Sequence, residues 1–84
     1  MYTKIDNYEI TAETEKALQL FFHWNKHCTH RVWIPKSIYK LTKDKMDASQ
    51  EMALPNWKFA DIVKDVTKEY GAYGVLLFLT EFVT

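Results

Sequence analysis

Between Pro55 and Gly71 the apolar residues Phe59, Ile62, Val63, Val66 and Tyr70 recur at i, i+3, i+4, i+7 and i+11. That spacing lays a single stripe along an α-helix and admits no strand, which repeats every second residue. Pro55 and Asn56 suit its start, Lys64 and Lys68 its last turns, and Gly71 the position just past its end. After Gly74, VLLFLTEFVT places Val75, Leu76, Leu79, Phe82 and Val83 on one helical face, yet it is β-prone throughout. It reads as a second helix paired with the first through the Gly71 to Gly74 turn, with a buried strand as the alternative. Either way it belongs to the core.

The stretch before this helix is settled by its neighbour. TEKALQLFFHW reads as a helix over 12–28 capped by Thr11, or as a strand. HRVWIPKS is rich in β-branched and aromatic residues, alternates Val32 and Ile34 against Trp33, and ends at Pro35, which stops a ladder. Two strands joined by the polar HWNKHCTH stretch make a hairpin burying Leu18, Leu20 and Phe22 with Val32 and Ile34. A polar connection, TKDKMDASQ, and a short MAL strand then lead into the helix. The expected fold is α+β: a small antiparallel sheet, hairpin plus short third strand, with one or two C-terminal helices, and an all-α bundle as the alternative.

The 84 residues suffice for one domain over 1–84. A domain of this size buries roughly 60 to 65% of its unfolded surface, and the 48% hydrophobic content meets that demand. Aromatic residues are numerous for one small core at 15%, so a minority are expected on the surface, where they mark contact sites. The single cysteine, Cys28, excludes an internal disulfide and with it a secreted, disulfide-stapled scaffold. MYTKIDNYEI lacks a signal-peptide pattern, and the longest apolar run, Val75 to Leu79, is far short of a membrane span. A cytoplasmic protein with no membrane partner is expected.

Net charge is zero, but the charges are segregated. The segment 23–45 carries Lys26, Arg31, Lys36, Lys40, Lys43 and Lys45 against Asp44, a balance of +5, while residues 1–15 and 46–84 are each −3. His23, His27, Cys28 and His30 also lie in the basic segment, but zinc sites take ligand pairs from two separate elements and no second pair exists here. Cys28 beside His27 or His30 lacks any oxyanion-hole signal, and Lys36 and Ser37 lack the glycine-rich turn of a phosphate loop. No metal, cofactor or enzymatic activity is expected. What remains is Trp24, Trp33 and Tyr39 interleaved with bases, the arrangement that stacks single-stranded nucleic acid in a basic groove. Trp33 is expected in the core between strands and helix and Trp24 on the surface. The expected partner-binding residues are Trp24, Lys26, Arg31, Lys36 and Lys40. Arginine occurs once, and lysine-rich charge serves steering better than base readout.

The segments TEKALQL, RVWIPKS and ALPNW, in that order, resemble a loose group of small phage and mobile-element proteins over about residues 13 to 60. In that group a strand following Glu-Lys-Ala pairs with one ending in Trp-Ile-Pro-Lys-Ser, and Pro-x-Trp opens a helix. The resemblance implies a mobile-element origin. The expected function is an accessory protein that binds and inhibits a host protein in the host cytoplasm, with a nucleic-acid-handling or defence complex as target, as an anti-CRISPR inhibitor does. The alternative is a single-stranded nucleic-acid-binding module.

Overall fold

A computed structural model of the chain describes residues 1–41 and 51–84. The polar connection TKDKMDASQ, with Lys43 and Lys45, lies outside the described residues. Among the described residues six strands and one helix follow in order: β1 (Tyr2–Ile5), β2 (Glu9–Glu13), β3 (Ala17–Trp24), β4 (Cys28–Pro35), β5 (Lys40–Leu41), β6 (Met52–Pro55) and α1 (Asn56–Phe82). The fold is α+β, with antiparallel sheets and a C-terminal helix.

The strands form two sheets, β2-β3-β4 and β1-β6-β5. The first is a meander around the hairpin read from the sequence, in register from Ala17↔Pro35 to Trp24↔Cys28. Its turn is only three residues long, Asn25 to His27, and Asn25 and Lys26 both adopt positive φ (48° and 61°) to close it. Thr14 shapes the other turn: its N–H bonds the Ala17 carbonyl at 2.8 Å, and its hydroxyl accepts from the N–H of Lys16 and Ala17. The third strand beside the hairpin is β2, while the MAL segment becomes β6 at the centre of the second sheet. Val83 bridges to Ile5, and hydrogen bonds from Thr84 N to Lys4 O (3.1 Å) and from Asp6 N to Phe82 O (2.9 Å) cover the outer edge of β1.

The 27 residues of α1 would span about 40 Å if straight. Yet the rings of Phe59 and Phe78, about 28 Å apart along a straight axis, lie 6.3 Å apart. The helix therefore doubles back. The break is Gly71 (φ 76°, ψ −175°), in a region essentially reserved for glycine. This gives two helical arms, 56–70 and 72–82, so the paired-helix reading holds with Gly71 alone as the turn. Gly74 already belongs to the second arm and is buried against the first, where a Cβ would come within 2.4 Å of the Tyr70 Cβ.

The helical arms cover the inner faces of the sheets. Leu18, Leu20, Phe22 and Trp24 of β3 meet Ile34, Ile5, Met52, Leu54, Ile62, Val66, Phe78 and Phe82 in one buried cluster. Each fully buried side chain contributes about 1.5–3 kcal/mol. Aromatic rings dominate its centre: Phe22, Trp24, Phe78 and Phe82 contact one another edge-on or tilted, with centroids 4.8–5.9 Å apart. No helix among the described residues is long and apolar enough to cross a membrane.

A candidate binding face on the outer side of the meander

Alternation along β3 and β4 decides which side chains reach solvent, since successive residues point to opposite faces of a sheet. Along β3 the even-numbered positions are buried and Ala17, Gln19, Phe21 and His23 take the outer face. Opposite them on β4 stand Pro35, Trp33, Arg31 and Thr29. Trp33 is 44% exposed.

Trp24 corrects the sequence expectation. It is 4% exposed, with its indole N–H donating to the Gly74 carbonyl at 3.1 Å and its ring edge-on to Tyr70 at 5.3 Å. The physical reason is turn length: the strand continues two residues past Phe22, and Trp24 keeps the inward parity of Leu18, Leu20 and Phe22. The same rule turns Trp33 outward between Val32 and Ile34 and reverses its expected place in the core.

The remaining expected binding residues do not form one surface. Lys26 occupies the hairpin tip, where its carbonyl bonds His23 Nε2 at 3.2 Å. Arg31 lies on the outer face, its guanidinium 4.7 Å from the Phe21 ring centroid. Lys36 is about 25 Å from Lys26 along β4 and is paired with the Glu13 carboxylate. Lys40 belongs to the other sheet and sits over the Tyr2 ring at 4.6 Å. Of the five, Arg31 alone stands on the outer face of the meander, beside Phe21 and the exposed Trp33.

The histidine-rich stretch is distributed in the same way. His23 faces outward with its ring 6.2 Å from that of Phe21, His27 lies in the turn, and Cys28 is buried on the inner face. His30 faces inward, half-buried, with Nε2 unpaired; burial holds its pKa below the ordinary histidine value despite opposing fields from Asp65 and Glu69. Tyr8 is also partly buried with an unpaired hydroxyl, and its pKa is pushed up to about 12 by burial, then by Tyr39, Asp6 and Glu51.

The outer face thus presents Phe21, His23, Arg31 and Trp33, with Gln19 fixed by Thr11, whose hydroxyl donates to its Oε1 at 3.0 Å. Phe21 was not among the residues expected to bind; the signal for it was the alternation of KALQLFF itself. A second exposed tryptophan, Trp57 at 61%, lies beside the exposed Tyr2 along a shallow depression bounded by Met1, Ser37, Ile38 and Pro55. Compared with known protein families, curated proteins and solved structures, the chain matches none.

Proposed function

We propose that the protein acts by binding another protein through the outer face of the meander, with Arg31 and Trp33 as its anchors and Phe21 as their support. The observation that carries this reading is the stacking of Arg31 on Phe21 beside an exposed tryptophan on a rigid sheet. Arginine and aromatic residues are enriched where binding energy concentrates, and a strand holds them without the entropy cost of ordering a loop. In the setting the phage resemblance implies, the target is a host protein and binding inhibits it.

Single-stranded nucleic acid is the second reading, favoured by the same open rings beside a guanidinium. Against it, the lysines that would neutralise phosphates are dispersed, Lys36 on Glu13 and Lys40 on Tyr2, and Glu9 stands opposite Phe21 on the face itself. Two measurements separate the readings. In pull-downs from host lysate, Trp33→Ala and Arg31→Ala should each weaken capture of the partner by ~1–3 kcal/mol, while Trp57→Ala leaves it unchanged. A short single strand of DNA should show no binding with a steep salt dependence; such a slope, lost in Arg31→Ala, would instead establish the nucleic-acid reading.

A further inference from the structure

β4 is an edge strand of its sheet, so half of its backbone groups point away from β3. Which half is fixed by two contacts. Lys36 N–H bonds the Lys16 carbonyl at 2.8 Å, towards β3, so the groups of the odd-numbered residues Thr29, Arg31, Trp33 and Pro35 face outward. Tyr70 agrees with that parity: its hydroxyl accepts from Thr29 N–H at 3.0 Å and donates to Thr29 C=O at 2.8 Å, doing for one residue what a neighbouring strand would do. At the other end Pro35 has no N–H, and its carbonyl accepts from Ile38 N–H at 3.2 Å. Between these two stops, the N–H and C=O of Arg31 and Trp33 have no partner among the described residues.

We propose that this two-residue window pairs with the same window of a second copy of the chain, antiparallel about a two-fold axis through Val32. In that register Arg31 lies opposite Trp33 of the second copy and each pair exchanges both backbone bonds, so every free group of the window is used. Thr29 meets Pro35 of the second copy, the pair whose groups are already held or absent. Neighbouring registers fail on the page. Centring on Arg31 sets like charges face to face and pairs Trp33 with the Thr29 that Tyr70 occupies; centring on Trp33 pairs Arg31 with a proline that has no N–H to give. The central register also places the Arg31 guanidinium between the Phe21 ring and the indole of the second copy, an electrostatic match that a foreign strand does not bring with it. The result is a continuous six-stranded sheet in which the two outer faces lie side by side and share the Arg31 and Trp33 side chains at their junction; the inference rests on the backbone of the β4 edge and does not require the binding function proposed above.

Sedimentation equilibrium of the full chain from micromolar to millimolar concentration tests it. A monomer–dimer equilibrium is expected, and Trp33→Pro, which removes an outward N–H without touching the ladder to β3, should raise the dissociation constant roughly tenfold or more with an unchanged circular dichroism spectrum. Because a proline variant can fail to fold, Val32→Cys in a Cys28→Ala background supplies an independent reading. The two Val32 positions face each other across the axis with Cα atoms ~4.5 Å apart, within reach of a disulfide, so mild oxidation should yield a covalent dimer. A chain that stays monomeric at millimolar concentration and forms no disulfide overturns the proposal. So does a dimer indifferent to Trp33→Pro, or a monomer that instead captures an extended peptide of another protein at this edge.

Discussion

At the scale of single residues, the indole of Trp24 holds together parts of the chain that are far apart in sequence, touching Tyr70, Phe78 and Phe82 and donating to the carbonyl of Gly74. Trp24→Ala should lower unfolding free energy by about 3–5 kcal/mol, because it leaves a large cavity and removes the indole's hydrogen bond to the Gly74 carbonyl. Trp33→Ala, on the open face, should change it by no more than about 0.5 kcal/mol. Urea unfolding of both variants checks the contrast, and equal losses would mean that the two tryptophans share the core. This pair also shows where sequence reading stopped. Trp33 was expected in the core, although its alternation with Val32 and Ile34, both expected inside, gives it the opposite parity. The fate of Trp24 depended on how tightly the hairpin turns, and a turn built on positive φ at Asn25 and Lys26 carries no glycine to announce it.

At the scale of elements, α1 is two helices because of Gly71. An added side chain there would meet no neighbouring atom, so the effect of Gly71→Ala is purely conformational. It should destabilise the protein by about 1–3 kcal/mol, measurable as a lower thermal midpoint, and an unchanged midpoint would remove Gly71 as the cause of the reversal. The amphipathic stripe from Phe59 to Tyr70 made the first arm legible, and the glycine after it made the turn legible. The strands β1, β2 and β5 were not legible. They are short, β2 is mostly exposed, and β1 and β5 owe their form to pairing with β6 rather than to a local pattern. Tyr70 was read as core from its helical spacing, and its ring does pack on Trp24; its hydroxyl, which holds the edge of β4, follows from no periodicity.

For the whole molecule, the seam between meander and helix carries a pH dependence. The folded state holds the pKa of His30 below that of the unfolded chain, so the unfolded state takes up more protons as the solution is acidified. The stability this neutral histidine supports is complete above about pH 6.5 and is lost as pH falls towards the folded pKa. The melting temperature should therefore drop between about pH 7.5 and about pH 5.5, and His30→Gln should flatten the drop. An equal slope in the variant would assign the effect to other groups. The segregated charges of the sequence were legible as a count, but folding distributes the bases over a hairpin tip, a sheet face and the second sheet, so the candidate site emerged from strand parity rather than charge. The two sheets also differ in how far the chain must reach to close them. Every pairing of the meander lies within residues 9–35, whereas β1 must find β6 roughly fifty positions away and then be covered by Val83 and Thr84. Loop closure is cheaper for the nearer partners, so the half of the molecule that bears Arg31 and Trp33 is the half whose backbone can assemble early, with the chain's two ends joining last.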